Sequence, residues 1–205
     1  RNMSQNVLVV HGGGPTAVIN ASLYGVIEEA KRNPEVGKVY GAIGGTGAIF
    51  SETFIDLTSF NDEKLKLLLH TPASAIGSSR YPLYEKDYEK MVDIFKKHDI
   101  KYVLLNGGNG TMDACGHIYE VCKDQDIKVV GIPKTIDNDI YGTDMTFGFQ
   151  SAVDIATNAI DCIHTTAASH GRVFIVELMG HKVGWLTLHA GIAGGADIIL
   201  LPEVP

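Results

Sequence analysis

Residues 133 to 139 read Pro133-Lys134-Thr135-Ile136-Asp137-Asn138-Asp139, which places a lysine, a hydroxyl and two carboxylates in one short segment. An Asx-type turn would account for one short polar side chain there. It gives no reason for the whole set. Phosphoryl transfer does: a carboxylate accepts the attacking hydroxyl's proton and helps to hold Mg²⁺, while cations clamp the transferred group. The segment is therefore the first candidate for a catalytic centre.

Glycine-rich stretches recur at Gly12-Gly13-Gly14-Pro15, Gly44-Gly45-Thr46-Gly47 and Gly107-Gly108-Asn109-Gly110-Thr111. Any one of them could serve only to turn the chain tightly. Four polar loops at the ends of apolar runs are harder to assign to turn-making alone. Residues 107–111 form the best phosphate cradle, because small residues let backbone N–H groups approach oxygen and a following helix presents its N-terminus. There is no Gly-Lys-Ser/Thr of the Walker A kind, and GxGxxG spacing fails at 12–14 and 107–111. P-loop NTPases and dinucleotide-binding dehydrogenases are thereby disfavoured.

These loops need elements that carry them to one edge. Apolar runs at 6–11, 38–43, 102–106, 127–132, 173–178 and 197–201 read as strands. Helical patterns follow at about 16–31, 61–70, 85–98, from the 107–111 loop to about 122, 149–168 and 183–193. The alternation predicts an α/β fold of three layers, a mostly parallel sheet with helices on both faces. In such sheets ligands gather outside the carboxyl ends of the strands, where all four loops fall.

Composition is that of a globular protein, 45% hydrophobic and 20% charged. Acidic side chains outnumber basic ones by 24 to 17, a formal net charge of −7, with no Lys/Arg run. Nucleic acid and anionic membranes are poor partners for such a chain. Cys115, Cys122 and Cys162 form no metal-like spacing and are expected as buried free thiols. No signal peptide and no spanning run of about 20 apolar residues is visible, so a cytoplasmic location is expected. Arg1-Asn2 ahead of Met3 reads as a remnant of cloning.

Six stretches resemble the phosphofructokinase family in order and spacing: GGGPTAVINAS (12–22), IGSSRYP (76–82), NGGNGTMDA (106–114), GIPKTIDNDIYGTD (131–144), SHGRVFIVELMG (169–180) and AGIAGGADIILLPEVP (190–205). The resemblance implies a phosphofructokinase-like fold, with a donor-binding domain over 3–145 and the start of a sugar-phosphate domain over 146–205. That second domain is expected to be incomplete, and the isolated chain to have little or no kinase activity. The implied reaction moves a phosphoryl group from ATP, or pyrophosphate, to the 1-hydroxyl of fructose 6-phosphate, with Mg²⁺.

Carried over by position, Asp137 resembles the general base, with Thr135 and Asp139 contacting substrate phosphate and supporting the metal. Gly13, Arg80 and the backbone of Gly108, Asn109, Gly110 and Thr111 would hold donor phosphates, Arg80 also stabilising the transition state. Arg172 resembles an arginine that reaches the sugar 6-phosphate across a subunit boundary, which implies a homo-oligomer, a dimer or tetramer. Met179, Gly180 and His181 occupy the family's sugar-binding Met-Gly-Arg motif. His181 departs from it, since imidazole cannot reproduce a guanidinium fork. Asn109 stands where the family has an aspartate that helps to hold Mg²⁺; it keeps an oxygen but loses the charge, so of the implied metal residues Asn109, Asp137 and Asp139 the two aspartates should carry more of the binding.

The donor is signalled both ways. Gly110 leaves room for an α-phosphate and nucleoside, as in ATP users, whereas Lys134 is the residue of pyrophosphate users. The steric criterion favours ATP, and pyrophosphate is the alternative. A rival of another class is a non-catalytic fragment that binds nucleotide or sugar phosphate, and a kinase for another sugar phosphate is a third.

Overall fold

The computed structural model describes residues 5–204. The Arg1-Asn2 remnant, the expected domain start at residue 3, and Pro205 lie outside the described residues. The chain divides into two compact units, with the boundary between Lys134 and Thr135.

The first unit is built on strands β1 (Gln5–His11), β2 (Val36–Ala42), β3 (Phe54–Asp56), β4 (Ile100–Gly107) and β5 (Lys128–Thr135), whose last residue begins the second unit. Helices α1 (Ala17–Arg32), α2 (Gly47–Phe50), α3 (Asp62–Lys66), α4 (Glu85–Lys97) and α5 (Asn109–Cys122) connect them. The strand order is β3-β2-β1-β4-β5, parallel throughout except for the short antiparallel edge strand β3.

Alternation along β1 shows why the sheet has two covered faces. Leu8 and Val10 pack with Met91 and Phe95 of α4 and Ile118 of α5, while Val7 and Val9 pack with Leu23 and Ile27 of α1. Side chains of a strand point alternately to opposite faces, so a run apolar at every position must be buried on both. This is the three-layer arrangement expected from the sequence.

The chain leaves β1 for β2 on one side and reaches β4 on the other, so the β1/β4 seam is the topological switch point, where α/β sheets bind ligands. His11 is in register with Asn106, and Asn106 with Ile132. The loops after β1, β4 and β5 therefore start at one level of the sheet.

The second unit holds β6 (Phe147–Gly148), α6 (Phe149–His170) and α7 (Trp185–Ala193). Phe149 and Val153 of α6 pack with Leu186 of α7, and Ala156 and Ile160 with Ala190. The strands expected at 173–178 and 197–201 are not formed. Both runs have no ladder partner among the described residues, and Val173, Ile175, Ile198 and Leu200 are largely exposed. An apolar run needs a neighbour's N–H and C=O groups before it becomes a strand.

The cysteine expectation also needs correcting. Cys115 and Cys122 are buried, and burial pushes both thiols up, Cys122 to about 11. Cys162 is exposed, because it lies on the outer face of α6.

Candidate functional site

At the switch point the glycines are required by close approach. A Cβ on Gly12 or Gly107 would collide with the hydroxyl of Thr111. Gly13 has φ +74°, and a Cβ there would stand 3.6 Å from the Gly108 nitrogen and 3.7 Å from Lys134 Nζ. Two expected donor-site residues, Gly13 and Gly108, are thus brought together with Lys134, which was expected to be catalytic. Lys134 is buried, and its Nζ donates to the Gly14 carbonyl at 2.6 Å.

Helix α5 begins at Asn109 behind Gly108, with no side-chain cap and no acid in its first turn. Its first backbone N–H groups lack intrahelical acceptors and the helix dipole adds positive potential, which suits a phosphate. A Cβ on Gly110 would meet nothing within 4 Å, so open space lies before this residue.

Arg80 is exposed at the end of a segment stitched to the glycine loop. Ser78 Oγ donates to the Gly13 carbonyl at 2.8 Å, and Gly12 forms a parallel bridge with Ser79. The expected ligand loop at 44–47 does something else. Gly44 and Gly45 have φ of +103° and +76°, and a Cβ on Gly45 would lie 2.6 Å from the Ser79 nitrogen. That turn is a seat for residues 76–79, which in turn carry Arg80.

In the second unit the segment after β5 folds on itself. Thr135 Oγ1 donates to Asp137 Oδ2 at 3.2 Å and accepts from the Asp137 backbone nitrogen at 3.2 Å. The other oxygen, Asp137 Oδ1, is buried without a partner. Asp139 Oδ2 lies 3.5 Å from His181 Nδ1, its side chain 10% exposed against 62% for the imidazole. His181 itself has φ +57°.

Turn-making falls to Asn138. With φ +54°, its Oδ1 accepts from the Thr146 nitrogen at 2.9 Å and its Nδ2 donates to the Asp144 carbonyl at 3.3 Å. Buried Thr146 closes the loop by donating to the Thr135 carbonyl at 2.7 Å. The work of the loop is thus divided among neighbours: asparagine, which tolerates the left-handed conformation, turns the chain, while Asp137 contacts Thr135 and Asp139 lies beside His181.

Gly180 is sterically required, because a Cβ there would collide with the Val183 carbonyl, while Met179 is exposed beside it. Arg172 is exposed just after the left-handed cap Gly171, and it lines an apolar groove of about 420 Å³ together with Ile175, Leu178 and Ile198.

The Phosphofructokinase family model matches residues 6–205. The chain belongs to the phosphofructokinase family. It is 38% identical over 205 residues to the ATP-dependent 6-phosphofructokinase 3 of Bacteroides thetaiotaomicron, covering 96% of this chain and 59% of that protein. It is 35% identical over 216 residues to the pyrophosphate–fructose 6-phosphate 1-phosphotransferase of Halomonas elongata, covering 97% and 52%. The crystal structure of the pyrophosphate-dependent phosphofructokinase from Marinobacter aquaeolei superposes with a TM-score of 0.87 at 35% identity, covering 98% of this chain and 54% of that one. The chain thus spans little more than half the length of the relatives it matches.

Mg²⁺ is commonly held by one or two carboxylates together with substrate phosphates. The unpartnered Oδ1 of Asp137 and the largely covered carboxylate of Asp139 fit that donor set. Among the described residues no group of three or more His, Cys, Asp or Glu side chains is arranged to hold a metal alone.

Sequence reasoning about this chain missed His11. Its ring is fully buried, and burial first, then the Lys134 charge, lower its pKa to about 4. Its position at the end of β1, where an apolar run turns polar before glycine, was the available signal. No helix is long and apolar enough to cross a membrane among the described residues.

Proposed function

We propose that this segment carries the phosphoryl-donor site and the catalytic carboxylate of an ATP-dependent 6-phosphofructokinase. The observation that carries the reading is Asp137, held through one oxygen by Thr135 while the other is buried and unpartnered. A buried orphan oxygen costs roughly 1–3 kcal/mol, and it is poised to accept a proton.

In this reading the sugar 1-hydroxyl oxygen attacks the γ-phosphorus and its proton passes to Asp137. The bond to the bridging oxygen breaks, and its electron pair leaves with ADP. Gly13 and the backbone of Gly108–Thr111 hold the donor phosphates, and Arg80 and Lys134 offset the charge that spreads over the transferred group. Asn109, Asp137 and Asp139 would hold Mg²⁺, which neutralises phosphate charge when bound. Thr135 orients the base and contacts substrate phosphate.

Fructose 6-phosphate is the proposed acceptor, with Met179, Gly180 and His181 at the sugar. Arg172 would reach the 6-phosphate of a neighbouring subunit in a dimer or tetramer. The domain assignment, 3–145 for the donor and 146–205 for the start of the sugar domain, belongs to the same proposal, as does a cytoplasmic setting. Because the chain spans only 52–59% of these relatives, it should have little or no turnover alone.

Pyrophosphate is the second reading, favoured by buried Lys134 beside Gly13 and Gly14. ATP is preferred because the space before Gly110 is open. Calorimetric titration of the chain with each donor and Mg²⁺ tests this. Tighter binding of ATP is expected, tighter pyrophosphate would reverse the donor, and binding of neither would remove the donor site.

A further inference from the structure

The donor half contains a titratable side chain to which the proposed reaction gives no role. His11 is 0% exposed at the carboxyl end of β1. Its Nδ1 lies 2.8 Å from Ser74 Oγ, and that hydroxyl donates to the Gly77 carbonyl at 2.8 Å. A hydroxyl has one proton to give. With it committed to Gly77, Ser74 must accept from His11, which sets the ring as the Nδ1–H tautomer and leaves Nε2 a lone-pair acceptor. That Nε2 is buried and unpartnered.

It is not alone. Thr16 Oγ1, Ser79 Oγ and Asn106 Oδ1 are also buried without partners, and these four atoms are most of the six such atoms among the described residues. All four sit at the carboxyl ends of β1 and β4 or on the adjoining loops. A residue chosen only for stability would not keep such an atom, because an apolar side chain of similar size avoids the desolvation penalty. Buried polar groups left unsatisfied concentrate where a ligand or mechanism uses them.

We propose that His11 is a positioning residue for donor binding: its Nδ1–H···Ser74 Oγ···Gly77 carbonyl chain locks the 74–80 segment, and with it Arg80, against the glycine loop. The lock has two ends. His11 holds the segment from β1, and Ser78 Oγ holds it from Gly13. Asn20 anchors the preceding backbone separately, through the carbonyls of Thr71 and Ala73 and the Ala75 nitrogen, so His11 is not needed merely to keep residues 71–75 in place. Its neutrality also keeps a second positive charge away from Lys134, in keeping with the lowered pKa.

This inference rests on the donor-site reading and deepens it. The test compares the wild-type chain with His11→Phe, His11→Asn and Ser74→Ala, titrating Mg²⁺–ATP and Mg²⁺–pyrophosphate by calorimetry and measuring thermal midpoints alongside. His11→Phe should weaken donor binding about tenfold or more, while its midpoint stays level or rises because the orphan atom is gone. His11→Asn, whose side-chain N–H can replace Nδ1–H, should restore most of the affinity, and Ser74→Ala should weaken binding as His11→Phe does. Nitrogen NMR of the ring should show the Nδ1–H tautomer in the wild type and its loss of preference in Ser74→Ala. Unchanged donor affinity in His11→Phe, or an Nε2–H tautomer in the wild type, overturns the proposal. If the wild type binds neither donor, the donor site itself fails and this role falls with it, whereas wild-type binding with indifferent variants removes only His11.

Discussion

The two units treat similar apolar sequences in opposite ways. In the first, every residue from Val7 to Val10 is buried, because neighbouring strands take the backbone hydrogen bonds and helices cover both faces. In the second, Val173 and Ile175 are each 92% exposed in a run with no ladder. Hydrophobicity alone therefore does not make a strand. It needs a neighbour, and in the first unit that neighbour is always present.

The contrast extends to polar groups. Buried orphan atoms in the first unit gather at the glycine loops, whereas in the second the catalytic candidate Asp137 carries one within a loop that Asn138 and Thr146 hold rigid. The glycine loops of the first unit are shaped by backbone close approach. The loop over residues 135–146 of the second is shaped by side-chain hydrogen bonds.

Substitutions can break or sharpen this division. The largest expected effect is that of Asp137→Ala. Measured in an active enzyme that contains this segment, it should lower turnover by about 10²–10⁴-fold, since that is the usual contribution of a general base. Donor binding by the chain should be spared, and equal loss of both would place Asp137 in the donor site instead.

Phe95 is fully buried in the first unit's core. Phe95→Ala should destabilise that unit by about 3–5 kcal/mol in urea unfolding, and a loss under ~1 kcal/mol would show that the core is far looser than its packing implies.

Acidification should act mainly on the first unit, through His11. Its folded pKa of about 4 lies below the usual 6.5, so as pH falls from 6.5 the unfolded chain takes up the proton first. Stability should therefore decline between pH 6.5 and 4, by roughly 3 kcal/mol in all at this site. His11→Phe should flatten the profile in that window, and an unaltered profile would show that His11 does not titrate as its burial requires.

Asn109→Asp adds a carboxylate to the proposed metal set and should tighten Mg²⁺ binding in the presence of donor, severalfold at most for an exposed charge. An unchanged Mg²⁺ dependence would remove Asn109 from the metal site. The smallest change is expected from Ile175→Ser in the exposed run, within about 0.5 kcal/mol. A large loss there would mean that residues 173–178 are supported by contacts the isolated chain does not show.

Much of the first unit was legible in advance because unbroken runs such as Asn6–His11 and Tyr102–Asn106 have only one good use, a strand covered on both faces. Three-residue β3 was not legible, since Phe54–Asp56 carries no periodic signal and pairs only because β2 leaves it an antiparallel edge. At the site, the lysine, hydroxyl and carboxylates of 133–139 stood out by density. The division of labour among Asp137, Asn138 and Asp139 did not, because adjacent short polar residues look alike until φ and hydrogen-bond partners distinguish them.

By itself the sequence determined the layered α/β architecture, the positions of the polar loops and membership of the phosphofructokinase family, because periodicity, glycine placement and motif spacing are local properties. Only the tertiary structure decided that Gly44-Gly45 seats the 76–79 segment, that Lys134 meets the Gly13–Gly14 loop, and that His11 Nδ1 meets Ser74 Oγ. Those outcomes join residues from 32 to 120 positions apart, and only the packed register of the sheet brings such residues within hydrogen-bonding distance.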